Sequence, residues 1–478
     1  MNDLDKLRLQ NLMLSRRGFL RGAGLSSGAL ILAACGGSGG DGSGGGDGSG
    51  GGGGDGSGGG DGSGSGSAEP AAAGNEIVWW YGWGQLDVAV NDIMELDVFK
   101  DHVGPDTLTH KNSVAQEEFL TALAAGEPPD GGSNTDYPGF WARGVLTPVD
   151  DMIAASSIID QSDILEPLWS SGIYDGQMIG VPGLEGYIWW GLNYNAQHVE
   201  EAGLDPDNPP TTFDGLMEWH EALTTFDSAG NLERLGIDPY DAMAGEPDYP
   251  AFSHGLNWWN DEEKTFHLDD PRMAEAANTF GEFYRLAGPD NVAGMRSVEG
   301  QGTWGAAFEA GVQSMIIEGY WHPGEATINQ PDVAQHNRAS WAPVPSNRDG
   351  TKIMATGAHF ISIFKDGKNK EGMFKVAEMM HTPEAMDIIF NKVGWLTGRL
   401  SYLETVSPDA FPGIDFYLNA PDQVDEWLVG RRSPIHWFVA GQWDELKEQV
   451  FRDLMSPTDA VAELQKRAVD EWEAQGLG

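Results

Sequence analysis

The spacing of hydrophobic positions changes several times after residue 74. Glu76-Ile77-Val78-Trp79-Trp80-Tyr81 is a short apolar run broken by Gly82-Trp83-Gly84-Gln85, and it predicts a buried strand running out into a loop. From Ser113 to Ala125 the period becomes helical. Phe119, Ala122 and Leu123 share one face, Ser113 and Gln116 fit a capping box, and Gly126 stops the element. Thr212 opens another helix with Leu216, Trp219, His220 and Leu223 on one side. Asn369 caps a third, which carries Met373, Val376, Ala377 and Met380 inward. Ser456-Pro457 starts the last, with proline at the first helical position and Val461, Leu464, Ala468 and Trp472 inward. Strand-like runs alternating with such helices predict an α/β protein. Trp79, Trp219, Trp341 and Trp472 fall inside these patterns and are assigned to the core.

The first 74 residues follow neither period. Ser15-Arg16-Arg17-Gly18-Phe19-Leu20 leads into an apolar stretch ending Leu32-Ala33-Ala34-Cys35, too short to span a bilayer. Residues 1–34 read as a twin-arginine signal peptide. Leu-Ala-Ala-Cys resembles the lipobox of exported lipoproteins, which implies that Cys35 takes the lipid and becomes the mature N-terminus. Residues 35–74 then form the lipidated cysteine and a tether. Residues 36–67 are almost wholly Gly, Ser and Asp, a flexible coil spanning about 30 Å. They lack the apolar residues that a calcium-binding β-roll needs inside.

Composition narrows the partners. Cys35 is the only cysteine among 478 residues, which excludes disulfides within the chain and thiolate metal sites. The formal net charge is -45; the leader holds five basic and two acidic residues, so its removal takes the chain to -48. Such a surface repels nucleic acid and anionic headgroups. A hydrophobic content of 40% with 18 tryptophans identifies a folded chain, not a disordered acidic one. Strong acidity in an exported protein points to a high-salt habitat, with ordinary acidic solubility as the other reading.

Enzyme signatures are missing. His220-Glu221 has Thr224 where a zinc-protease helix needs its second histidine. The folded part holds neither a Gly-x-Ser-x-Gly elbow nor a phosphate-binding loop. A glycosidase needs only two suitably spaced carboxylates, so a secreted glycoside hydrolase stays open as the remote alternative. No cofactor or metal is expected.

Several segments, in order, resemble family 1 extracellular solute-binding proteins of ABC importers. The most specific is the run from Glu117-Glu118-Phe119-Leu120 through Ala124-Ala125-Gly126-Glu127-Pro128-Pro129-Asp130. Phe140-Trp141-Ala142-Arg143-Gly144-Val145-Leu146, Ile179-Gly180-Val181-Pro182 and Gly191-Leu192-Asn193-Tyr194-Asn195 follow. The second half matches through Phe308-Glu309-Ala310-Gly311, Ser314-Met315-Ile316-Ile317-Glu318-Gly319-Tyr320-Trp321 and Trp341-Ala342-Pro343-Val344-Pro345. The resemblance implies a two-lobed periplasmic-binding-protein-like fold (type II), with hinge strands crossing near residues 187–193, 356–361 and 395–401. It implies lobe 1 at 75–188 plus 358–397 and lobe 2 at 189–357 plus 398–478. The implied role is capture of a carbohydrate for ABC permease subunits by a monomer held outside the membrane through Cys35. Within the family, glycerol phosphate and polyamines are alternative ligands, and presentation to a chemosensory partner is an alternative role.

A sugar offers apolar C–H faces and a rim of hydroxyls, so its site needs flat aromatics together with hydrogen-bonding side chains. Aromatic candidates are Trp83, Tyr137, Trp189, Trp258, Trp321, Trp395 and Trp437. Trp321 matches the family's Gly-x-Trp position, where an aromatic commonly stacks on sugar. Polar candidates are Asp136, Glu185, Glu318, His359 and Arg399, at strand ends or crossings. Each tryptophan alone is more often a packing residue, and His359 reads equally as a hinge histidine or a ligand donor.

Overall fold

The computed structural model describes residues 74–182, 186–239, 245–298, 305–357 and 359–477. Residues 1–73, on which the expected signal peptide, Cys35 and all but the last residue of the expected tether fall, lie outside these residues. In chain order the main strands begin with β1 (Glu76–Tyr81), β2 (Thr107–Lys111), β3 (Gly131–Ser133), β4 (Val181–Pro182), β5 (Gly191–Asn195) and β6 (Thr225–Phe226). They continue with β7 (Leu232–Ile237), β8 (Gln313–Glu318), β9 (Asn337–Trp341), β10 (Ile353–Thr356), β11 (Phe360–Ile363) and β12 (Glu426–Val429).

These strands build two five-stranded sheets, one per lobe. The first has the order β2-β1-β3-β11-β4, with β1 parallel to β2 and β3, and β11 antiparallel to both neighbours. The second has the order β9-β5-β8-β7-β6, with β5 antiparallel to β8 and β9, and β7 parallel to β8. The chain passes between the sheets from β4 to β5 and returns between β10 and β11. The parallel pair β10 and β12 lies beside these passages, and bridges tie Trp189 to Ala355 and Gly186 to Thr397.

Alternation explains β1. Ile77, Trp79 and Tyr81 are fully buried on one face. Burying an Ile77-sized side chain contributes roughly 2 kcal/mol. Helices complete each lobe. The Lys370–Met379 helix packs on β1, and the Pro383–Val393 helix on the Asp87–Glu95 helix. In the second lobe the Pro271–Ala287, His436–Phe451 and Pro457–Ala474 helices pack on one another. The side chains of Thr212, Asn369 and Ser456 cap their helices by accepting from Gly215, Gly372 and Asp459 N–H. The apolar faces expected for these three helices are buried.

The expected capping box at Ser113 does not form. That helix starts at Gln116 with Ala115 as its N-cap, and Ser113 sits at φ 54°. Gln116 Oε1 instead accepts from Asp136 N–H at 3.3 Å, a tertiary contact. Trp341 is half-buried, not core, with Lys352 Nζ 5.2 Å above its ring. Among the described residues no helix is long and apolar enough to cross a membrane.

Candidate functional site

The aromatic wall of the site comes from loops at strand ends and crossings. Trp83 follows the C-terminal end of β1, His359 lies between β10 and β11, and Trp189 stands two residues before β5. Trp395 follows the Pro383–Val393 helix, which ends at Gly394 in the left-handed region, φ 84°. Crevices outside strand ends are the usual place for ligands in α/β proteins. Trp83 stacks on His359 at 5.2 Å and meets Trp395 edge-on at 5.5 Å. Trp189 turns its edge to His359 at 5.8 Å. Trp395 Nε1 donates to Glu325 Oε1 at 2.6 Å, and Gln85 Nε2 donates to the same oxygen at 3.4 Å. Glu325 stands on the His322–Asn329 helix that follows β8, so these bonds join the two lobes.

The polar wall is centred on Arg431, which follows β12 and holds a left-handed backbone at φ 56°. Its guanidinium lies between two rings, 4.9 Å from Trp189 and 4.8 Å from Trp437. Nε and Nη2 donate to Glu246 Oε2 and Oε1 at 3.0 and 2.6 Å, and Nη1 lies 3.2 Å from His359 Nε2. His436 Nε2 is 3.2 Å from Glu246 Oε2 and 3.7 Å from Asp248 Oδ2. Trp258 Nε1 donates to Asp248 Oδ1 at 3.1 Å.

Burial and charge oppose each other here. Burial works to raise Glu246, but Arg431 and His436 hold it well below the ordinary carboxylate range. Asp248 has no such fork. Burial pushes it up, with His436 opposing and Glu246 adding. Glu246, Asp248 and His436 each bring one ligand-type atom within 4.8 Å of the others. The Arg431 charge already neutralises Glu246 through both of its oxygens, which opposes a metal ion at the same spot. Several buried polar atoms make no hydrogen bond: Asp248 Oδ2, His436 Nδ1, and the indole N–H groups of Trp83 and Trp189. The assembly therefore offers both acceptors and donors beside flat rings.

The residues proposed from sequence divide unequally. Trp189, Trp437 and His359 surround Arg431, Trp83 stacks on His359 and Trp395 meets Trp83, while Trp258 donates to Asp248. Trp437 is a residue of the His436–Phe451 helix. Asp136 caps the Tyr137–Ala142 helix by accepting from Gly139 N–H at 3.2 Å; burial raises it to about 6, against Arg143, Gly139 N–H and His436. Tyr137 is committed to structure, donating to the Phe360 carbonyl at 2.9 Å and accepting from Asn134 N–H at 2.6 Å. Glu318 is 2% exposed and accepts from His322 Nδ1 at 2.6 Å. Trp321 is buried edge-on to Tyr320.

Arg399 stands apart from the assembly. It donates to Asp163 Oδ2 at 2.7 Å and to the His381 carbonyl, so it is spent on packing within its own region. Glu185 lies outside the described residues. Glu246, Asp248, Arg431 and His436 are absent from the residues proposed from sequence. The available signal was the Gly245-Glu246-Pro247-Asp248 run opening a helix.

Comparison with known proteins agrees with this architecture. CpMnBP1 with mannotriose bound is 20% identical, with a TM-score of 0.72 over 82% of this chain and 100% of that one. The GacH receptor of Streptomyces glaucescens, studied unliganded and with acarbose, is 17% identical, with a TM-score of 0.66 over 83% and 97%. The sugar-binding protein MalE of Xanthomonas citri is 20% identical, with a TM-score of 0.66 over 84% and 99%. At these identities the likeness establishes the two-lobed fold. A search of curated protein sequences finds no match. The family model described as "Bacterial extracellular solute-binding protein" matches residues 107–387, more than half of the sequence. The chain belongs to the bacterial extracellular solute-binding protein family.

Proposed function

We propose that this protein is the lipid-anchored receptor of an ABC importer and that it captures an uncharged mono- or oligosaccharide between its lobes. The observation that carries the reading is a run of rings from Trp395 through Trp83 and His359 to Arg431, flanked by Trp189 and Trp437, beside buried polar atoms that make no hydrogen bond. Sugar hydroxyls both donate and accept, while their C–H faces suit indole rings. The solutes in similar structures, mannotriose and acarbose among them, support the same class.

On this reading lobe 1 comprises 75–188 plus 358–397 and lobe 2 comprises 189–357 plus 398–478. Closure is a population shift driven by ligand that binds the closed form better. The protein performs no chemistry itself; permease and ATPase subunits on other chains move the solute. Export by the twin-arginine route and lipidation of Cys35 place the receptor on the outer face of the cell membrane. The acidic surface suits a salty habitat.

A thermal-shift screen tests the solute class, because ligand that binds only the folded state raises the melting temperature. Mannobiose, mannotriose and maltotriose are compared with glycerol 3-phosphate and spermidine. A shift with an uncharged sugar supports the proposal; a shift with glycerol 3-phosphate or spermidine alone overturns it. Turnover of a chromogenic glycoside would make the protein an enzyme. Release of the Cys35→Ser variant into the medium tests the anchor.

A further inference from the structure

Arg431 and Arg432 are consecutive in the chain just after β12, and the charge of such a pair would suit an anion. Their surroundings oppose one. Arg431 gives two of its nitrogens to Glu246, has Nη1 beside His359, and is covered on its faces by Trp189 and Trp437. Arg432 donates Nε and Nη2 to Asp261 Oδ2 at 3.1 and 2.7 Å. Its Nη1 and Nη2 also reach the carbonyls of Ser171 and Ile173 at 2.8 and 2.7 Å, and its guanidinium lies 3.7 Å from the Tyr174 ring centre. Both guanidiniums are satisfied by this chain's own acceptors.

Beside them Asp248 Oδ2 has no hydrogen-bond partner, although the residue is only 6% exposed. A buried carboxylate oxygen in that position asks for a donor. The anionic group of a solute offers none and would lie against a second negative charge at that point. To reach Arg431 it would also have to displace Glu246, leaving that half-buried carboxylate without its partner.

We infer that Glu246 and Asp248 are specificity-determining residues that bar anionic solutes from the cleft and admit uncharged ones. Glu246 cancels the charge of Arg431, and Asp248 presents the acceptor that a hydroxyl fills. The inference rests on the cleft being the solute site, as proposed above.

The test is calorimetric titration of the full mature chain with D-glucuronate and glucose 6-phosphate, alongside mannotriose as an uncharged probe. Glu246→Gln and the double variant Glu246→Gln/Asp248→Asn are compared with wild type, with circular dichroism reporting the fold of each. The double variant is expected to gain about tenfold or more in affinity for both anions, and Arg431→Gln in that background to erase the gain. Glu246→Gln keeps an acceptor for Arg431 and is expected to gain about threefold, so it carries the test should the double variant unfold. The inference is overturned if wild type takes glucuronate as tightly as mannotriose, if a folded variant gains nothing, or if the gain survives loss of Arg431. Failure of mannotriose to bind wild type counts against that sugar as cargo, whereas the anion comparison between variants reads the filter independently.

Discussion

Trp83 and His359 stack with ring centroids 5.2 Å apart and planes inclined by 30°, which fixes the loop after β1 against a strand crossing between the lobes. The ring of Trp83 is thereby positioned while its buried Nε1–H has no protein acceptor. Leaving such a donor unpaired costs about 1–3 kcal/mol. Trp83→Phe keeps a ring and removes the donor, so denaturant unfolding should change by no more than about 1 kcal/mol. Affinity for the sugar identified by the thermal-shift screen should fall about tenfold by calorimetry. Unchanged affinity would show that the N–H is idle.

Gly319 allows Trp321 to lie where it does. A β-carbon at this position would stand 2.2 Å from the Trp321 ring. Gly319→Ala is expected to push the ring aside, lower stability by about 1–3 kcal/mol and weaken sugar binding. Thermal melts and titration of the same sample separate the two effects.

The pH response of Asp136 has a definite sign. Its folded value is raised from 3.8 to about 6, with burial as the main cause. The native state therefore holds this proton more firmly than the unfolded chain. The associated stability is fully present below the unfolded value and is lost as pH rises through the folded one. Asparagine at this position retains the helix cap without charge. Stability of Asp136→Asn relative to wild type should rise by about 3 kcal/mol between about pH 3.5 and pH 7. Denaturation across that range checks the slope; a relative stability that falls with rising pH would reverse the assignment.

Arg399 separates packing from recognition. Asp163 receives Arg399 Nε at 2.7 Å and also the Ser401 N–H at 2.7 Å, which makes the pair a local structural tie. Arg399→Gln should cost about 1–3 kcal/mol of stability and leave sugar affinity within about twofold of wild type. A selective loss of affinity would return Arg399 to the site.

The legible parts of this molecule are those whose causes are local. Caps at Thr212, Asn369 and Ser456 bond to backbone three residues on, so a short window contains both partners. The Ser113 box fails because its would-be partner, Gln116, is drawn to Asp136 across the fold. Position at a strand end brought Trp83 and Trp395 into the candidate set, but did not reveal that Glu318 turns inward to His322 or that Arg399 turns to Asp163. The Glu246–Arg431 and Glu246–His436 contacts join residues 185 and 190 positions apart. No local pattern encodes such a meeting; only the completed fold creates it.

The place of β11 in the first sheet bears on how the chain is made. Strand Phe360–Ile363 is inserted between β3 and β4, with Ser362 opposite Gly132 and Phe360 opposite Pro182. During synthesis the edges of β3 and β4 wait, unpaired by β11, while the strands of the second lobe emerge. The lobe that begins first is thus completed late, and pairing over such separations slows folding. A nascent chain halted before residue 360 would expose strand edges that invite association with its neighbours. The order of synthesis makes chaperone demand greatest for the N-terminal half.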